Sequence, residues 1–455
     1  MSKLKSLPSV SLIIEKAKGQ LNIHENYLKL LINKELDHFR NKIISKDLKI
    51  EKDQVIDSII SNISNKASSS LVNIINGTGI VLHTGFGRAP FDGKHLKKVA
   101  DKLDGYINLE FDLAHNKRGD RQSHIDEHLA SICGSESSLV VNNNAAALLL
   151  TINALAIESE VICSRGQIVE IGGSFRISEI VEKSGGILKE IGTTNRAHVY
   201  DYEKAISDKT KLLLWVHTSN YVVKGYTNEV PLEEVVKVGK KYNIPVLADL
   251  GSGTFIPLDK YGIPAEIPIK DIVRKGPEII LFSGDKMLGG PQSGIILSSK
   301  KIIEKIKSNS IYRTVRCDKI TIALMDQIIR SYKKHGFSNL NLSLSLLTRT
   351  RENLKKIAND IIKEIPSKKL MMLGVSIEDS LVEAGSGSLP QKNIESIALK
   401  FNPSSLSANK LSSLFRQGDI PVIGYIHKNS FFIDLKAVLP SQILYLIKTI
   451  KNIYL

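Results

Sequence analysis

The stretch Glu278-Ile-Ile-Leu-Phe-Ser-Gly-Asp-Lys-Met-Leu-Gly-Gly290 decides the fold. Its first half is an unbroken apolar run that reads as a buried strand. Its second half continues into Pro291-Gln292-Ser293-Gly294 and is too glycine-rich to extend a helix or a strand. Ile295-Ile296-Leu297 then reads as a second short strand. Lys286 therefore falls on a tight connector just past a strand end, where open α/β sheets keep their chemistry. Among Met287, Leu288 and glycines its ammonium has few groups to solvate it. Desolvation favours the neutral amine, a usable nucleophile. Taken alone, the stretch also reads as a surface lysine in a turn.

Working outward, apolar strands alternate with helical periods: strands at 160–163, 187–190, 211–216 and 245–249, helices near 175–183, 201–206 and 231–241. This alternation predicts a mainly parallel sheet covered on both faces. Several strand ends carry polar residues. Leu139-Val-Val141 runs into Asn142-Asn-Asn-Ala145, which reads as a capped helix start. Such a start is either an ordinary cap or a phosphate site, because the first N–H groups of a helix lack partners. Lys211–Val216 ends in His217-Thr-Ser-Asn220, and Pro245–Ala248 ends in Asp249-Leu-Gly-Ser-Gly253. Lys286 follows Asp249 by 37 residues, each closing a strand. That pair is what pyridoxal phosphate requires: a carboxylate to keep the ring nitrogen protonated and an amine for the Schiff base. Ser283, just before the lysine, is placed to reach the same phosphate as the Asn143–Ala146 turn. Upstream, Val72–Pro90 is a short strand opening into a Gly-rich loop with His83 and Arg88, an arginine suited to an anion. Beyond 330 the pattern shifts to helices at 320–333 and 339–362 and then to short strands, a smaller α/β domain.

The chain has 455 residues, 42% hydrophobic and 24% charged, ordinary values for a soluble globular protein of two or three domains. No apolar run is long enough for a membrane span, and the N-terminus has no signal-peptide core. Cys133, Cys163 and Cys317 are far apart, have no metal spacing, and fit a reducing compartment. The net charge of +15 permits a nucleic-acid partner. Residues 1–70 differ in character: Leu12–Ile23 and Tyr27–Ile44 show helical spacing with many interspersed lysines, and Asn65–Ser70 reads as a linker. The basic face is either solubilising or a nucleic-acid surface.

Taken in order, the blocks Asn76-Gly-Thr-Gly, Leu82-His-Thr, Gly87-Arg-Ala, Val140-Val-Asn-Asn-Asn-Ala, Ser164-Arg-Gly-Gln, Gly192-Thr-Thr-Asn-Arg, His217-Thr-Ser-Asn-Tyr, Asp249-Leu-Gly-Ser-Gly, Ser283-Gly-Asp-Lys and Gly385-Ser-Gly-Ser-Leu-Pro resemble bacterial selenocysteine synthases, the L-seryl-tRNA(Sec) selenium transferases. The chain departs from the family pattern at Gly85-Phe86 and at Gln167-Ile168, positions that carry no reacting group. The resemblance implies a fold type I, aspartate aminotransferase-like enzyme with a helical tRNA-binding segment (1–70), a large cofactor domain (71–330) and a small C-terminal domain (331–455). It implies a cytoplasmic homo-oligomer, typically a decamer built of dimers. It implies seryl-tRNA(Sec) and selenophosphate as substrates. Lys286 and Asp249 take the cofactor roles above, with Asn143, Asn144, Ala145, Ser283, His217 and Asn220 around them. Arg88, Arg313 and Arg316 are the candidates for the anionic selenium donor, the latter two also reading as a solvated basic turn. Asp285 either assists departure of the serine hydroxyl or orients its loop; His83 and His217 read as core or site histidines. Two other classes stay open: a pyridoxal phosphate lyase for a phosphorylated sugar acid, and a tRNA-binding homologue without catalysis.

Overall fold

The computed structural model describes residues 7–46, 51–171, 175–218, 221, 223–263, 267–336, 341–388 and 393–453. The chain divides into two compact units, Met1–Ile74 and Ile75–Leu455.

The first unit is three helices, Val10–Ala17, Glu25–Lys46 and Lys52–Ala67. Ser9 caps the first, its hydroxyl accepting from the Leu12 N–H. Apolar residues at helical spacing meet in one core of Ile13, Leu28, Ile32, Leu36, Ile56, Ile59 and Ile63. The third helix runs through Ala67, so Asn65–Ala67, which composition had put in a linker, are helical.

The second unit is built on seven strands: β1 Ser137–Val141, β2 Glu160–Ser164, β3 Ile187–Ile191, β4 Thr210–Val216, β5 Val246–Asp249, β6 Ile279–Ser283 and β7 Gly294–Ser298. Their order is β1-β7-β6-β5-β4-β2-β3. The pairings β6–β5, β5–β4, β4–β2 and β2–β3 are parallel, and β7 runs antiparallel to both β6 and β1. Because side chains alternate across a strand, successive residues enter two different cores. Val140, Ile162, Leu213, Ile280 and Phe282 pack on one face with Val235 and Val236 of the helix Leu232–Tyr242. Leu139, Val161, Leu212, Leu214, Ile279 and Leu281 pack on the other with Ala147, Leu148 and Ile152 of the helix Asn144–Ala156. Apart from the partly exposed edge strand β3, which carries Lys189 and Glu190, the strands are covered on both faces and read as largely apolar runs.

A second, antiparallel sheet joins Val375–Val382, Ile394–Phe401, Ser430–Asp434 and Tyr425–His427 in that order. The short strand before the Gly-rich loop is Ile75–Asn76, which pairs in parallel with Val422–Ile423, and the Asp434 N–H donates to the Gly77 carbonyl. One detail differs from the sequence reading. The single helix expected over 339–362 is two, Leu342–Leu347 and Arg351–Lys363, because Thr350 caps the second through the Asn353 N–H. No helix among the described residues is long and apolar enough to cross a membrane.

Candidate active site

Strand register brings the polar strand ends to one edge of the sheet. Asp249 lies opposite Val216 on one side and Leu281 on the other. Ser283 lies opposite Gly294, which lies opposite Val141. Asp249, Ser283 and the Asn143 turn thus follow one another along the edge where β5, β6 and β1 end.

Asp249 and Lys286 are both buried, at 3% and 5% exposure. The Asp249 carboxylate accepts from the Asn144 side-chain amide at 2.8 Å and from the Gly251 N–H at 3.0 Å. Burial pushes its pKa up, opposed by those two hydrogen bonds and by the Lys286 charge. A buried carboxylate in this state gains from a cation placed beside it. Asn143 caps the helix Asn144–Ala156, its Oδ1 accepting from the Ala146 N–H at 2.8 Å. This leaves the first N–H groups of that helix, at Asn144 and Ala145, at the sheet edge. The Asn144 Oδ1 is buried without a donor. These residues fit pyridoxal phosphate: a buried acid for the ring nitrogen, a buried amine, an orphaned buried acceptor, and a helix N-terminus for the phosphate.

The lysine loop is clamped. The Gly284 N–H donates to the Ser293 carbonyl, Gly290 N–H to Gly284, and Gly289 N–H to Lys286. Gly289 has φ +71, and a Cβ there would run into the Asn341 amide. The Leu288 carbonyl accepts from both the Tyr332 hydroxyl (2.8 Å) and the Asn341 amide (2.9 Å). Tyr332 and Asn341 escaped the sequence reading because nothing local marks them. Asp285, also buried, accepts from Arg88 Nη1 at 2.7 Å. The Ala89 N–H adds a bond to the Asp285 carbonyl. Arg88 sits at φ +61, an unusual conformation for a branchless long side chain, held between Gly87 and Ala89.

The other two arginines come from a different direction. Arg316 bridges to Val141, and the Asn142 N–H donates to the Val315 carbonyl, so this segment borders the Asn143 turn. Arg316 pairs with Glu110 at 3.1 Å, where Arg118 and Arg121 also converge. Arg313 lies exposed on the helix Ser310–Val315. Arg88 is thus tied to Asp285 and Arg316 to Glu110, rather than both to one place. The Glu110 hub was not foreseen, since it joins residues some 200 positions apart. His217 is at the site edge: its N–H donates to the Asp249 carbonyl at 2.8 Å and its ring stacks on Trp215. His83 stacks on Phe86 with ring centroids 3.9 Å apart, and burial lowers its pKa. Asn220 lies outside the described residues. All three cysteines are buried and unpaired, and burial pushes the Cys317 thiol up to about 12. No cluster of metal-ligating side chains occurs among the described residues.

The L-seryl-tRNA selenium transferase family model matches residues 74–439. The L-seryl-tRNA(Sec) selenium transferase of Carboxydothermus hydrogenoformans is 39% identical over 447 residues, covering 97% of this chain and 96% of that protein. The protein of that name from Alkaliphilus oremlandii is 40% identical over 398 residues, covering 87% and 85%. Among solved structures, D-glucosaminate-6-phosphate ammonia-lyase superposes with a TM-score of 0.60 at 18% identity, across 86% of this chain and 97% of that one. At that identity the likeness shows that the two chains share a fold.

Proposed function

This chain belongs to the L-seryl-tRNA selenium transferase family, and we propose that its buried Asp249–Lys286 site converts seryl-tRNA(Sec) to selenocysteinyl-tRNA(Sec), with selenophosphate as the donor. The observation that carries the reading is that pair of buried, oppositely charged groups at neighbouring strand ends, in a chain whose curated relatives match it over nearly its whole length.

Pyridoxal phosphate supplies an electron-withdrawing ring that makes the serine Cα proton acidic and lets the β-hydroxyl leave. The chain's residues do the rest. Lys286 is the amine that would hold the cofactor, and its free amine would be the base that removes the serine Cα proton and later returns it. Asp249 keeps a proton on the ring nitrogen, its carboxylate aimed by Asn144 and Gly251. The Asn144–Ala156 helix N-terminus, with Ser283 beside it, takes the phosphate. Asp285 neighbours Lys286 in a buried loop and pairs with Arg88; in this reading it either assists departure of the hydroxyl or orients the lysine loop. Arg88, Arg313 and Arg316 offset the charge of the incoming selenophosphate, a small anion brought up to a site that already binds one phosphate. Selenium then takes the place of the hydroxyl at Cβ: the hydroxyl leaves as water, a Cβ–Se bond forms, and water cleaves the P–Se bond so that phosphate departs.

The lysine-rich helical segment before Ile75 grips the tRNA in this reading. The enzyme works in the cytoplasm as a homo-oligomer, a decamer by the family resemblance. Exposed Tyr106, Phe111 and Leu113, three large apolar side chains in one short stretch, support assembly as surface that a second copy would cover. The test is to incubate the purified, cofactor-loaded protein with seryl-tRNA(Sec) and selenium-labelled selenophosphate. Label should enter the aminoacyl ester and should not enter free serine. Equal labelling of free serine, or none of the tRNA, sinks the reading.

A further inference from the structure

Two blocks of the sequence, Ser164-Arg-Gly-Gln167 and Gly192-Thr-Thr-Asn-Arg196, have no part in the cofactor site. They wall a cavity of about 300 Å³ at the ends of β2, β3 and β4, together with His217, Tyr221 and Glu229. That volume is at the small end of the range for sites that enclose a compact organic ligand. We propose that this cavity binds the 3′-terminal adenosine of the charged tRNA. The inference rests on the seryl-tRNA reading and adds to it the place where the nucleoside next to the reacting serine is recognised.

Position comes first. His217 lines the cavity, and its N–H is bonded to the carbonyl of Asp249. In the sheet order β5-β4-β2-β3, the ends of β2 and β3 stand two and three strands from Asp249, or about 10–14 Å at ordinary strand spacing. A serine esterified to a ribose at the lysine site can reach its own base into this cavity without stretching the nucleotide.

Chemistry comes second. The cavity carries one cation, Arg196, and one carboxylate, Glu229. That balance suits a neutral nucleoside and disfavours a phosphate. Its polar groups are fixed rather than free to adapt. Gln167 accepts from the Val216 N–H and donates to Glu229 at 2.8 Å, and the Tyr221 hydroxyl donates to the Gly166 carbonyl. Asn228 and Asn195 are spent on the Ala197 and Tyr226 carbonyls. Among the described side chains of the cavity, one buried donor is left without an acceptor. The Arg196 guanidinium lies 4.1 Å from the centroid of the Tyr226 ring, and its Nε is buried with no acceptor. A buried donor without an acceptor is a standing cost that a ligand acceptor removes. Adenine ring nitrogens and ribose oxygens are such acceptors, and guanidinium–aromatic stacks are surfaces on which bases pack.

The test uses the full-length, cofactor-loaded protein and a stable probe, 3′-seryl-adenosine with an amide in place of the ester, titrated by calorimetry. Wild type should bind it. Arg196→Ala should weaken binding about tenfold or more, the loss expected for one charge-assisted hydrogen bond. Arg196→Lys, which keeps the charge and is gentle on the fold, should also weaken it. The cytidine analogue should bind wild type more weakly than the adenosine probe. Equal binding by wild type and both variants, indifference to the base, or no binding by wild type each overturns the proposal. Selenium transfer to seryl-tRNA(Sec) by the same wild-type preparation is scored separately. Transfer with an indifferent Arg196 retires the pocket and keeps the function, and absence of transfer retires the function.

Discussion

Asp249 sits in surroundings that raise its pKa, yet it is wired by two donors to stay a carboxylate. That tension makes a sharp prediction. Asp249→Asn keeps the shape and should keep the cofactor, but an amide cannot hold the ring nitrogen protonated. Turnover should fall by about 10² or more, the usual cost of removing one preorganised electrostatic partner. A near-normal rate would mean that another group holds the ring. The arginines divide differently. Arg88→Ala leaves a buried Asp285 unpaired and so disturbs the lysine loop as well as any anion. Arg313, exposed on its helix, is the cleaner probe. Arg313→Ala should weaken selenophosphate about tenfold, the worth of one charge-assisted contact, while hydroxyl loss from seryl-tRNA keeps its rate. Single-turnover runs at varied donor concentration decide it, and unchanged donor affinity removes Arg313 from the site. Lys286 and Asp249 were legible because each breaks an apolar run at its end. Glu110 and Asn341 were not, because their importance lies in partners distant in sequence.

The elements that aim these residues are held by close backbone approaches. Gly294 on β7 faces the Asn143 turn so tightly that any Cβ would strike the Asn143 carbonyl. Gly294→Ala should therefore push back the start of the Asn144–Ala156 helix and loosen the phosphate end of the site. Cofactor titration should show affinity lowered about tenfold or more, given the 1–3 kcal/mol usual for overpacking. Unaltered cofactor affinity would take that helix start out of the phosphate site. The C-terminal sheet offers a pH test. Lys436 is buried beside Asp434, and desolvation lowers its pKa from 10.5 to about 8. Between these values the unfolded lysine holds a proton that the folded one has lost, so its contribution to stability rises with pH through this window and is lost as pH falls toward 8. Lys436→Met should flatten the rise in the unfolding midpoint between pH 8 and 10. Parallel curves for the two proteins would show that Lys436 does not titrate as placed. The interior strands were legible because two covered faces leave an apolar signature, which the partly exposed edge strand Ile187–Ile191 shows less clearly. The pairing of Ile75–Asn76 with Val422–Ile423 was not, since two-residue strands carry no periodicity.

At the scale of the whole molecule, the chain joins a basic three-helix unit to an α/β body. Removing residues 1–65 should leave a folded, cofactor-loaded body that binds tRNA poorly, and full-length binding should weaken steeply with salt because phosphate contacts release counterions. Filter binding across a salt series checks both, and a truncated protein with full affinity would place the grip elsewhere. The change in composition near Ser68 falls a few residues before the division at Ile74–Ile75. Assembly was not readable, because an apolar surface such as Tyr106–Leu113 does not name its partner. The central claim is that selenium transfer runs on Lys286. The most direct measurement reduces the loaded enzyme with borohydride, digests it and maps the pyridoxyl group by mass spectrometry, with selenium transfer to seryl-tRNA(Sec) assayed in parallel for wild type and Lys286→Ala. The prediction is a label on Lys286 alone and no transfer by the variant. A label on another lysine, or transfer by Lys286→Ala at the wild-type rate, would contradict it.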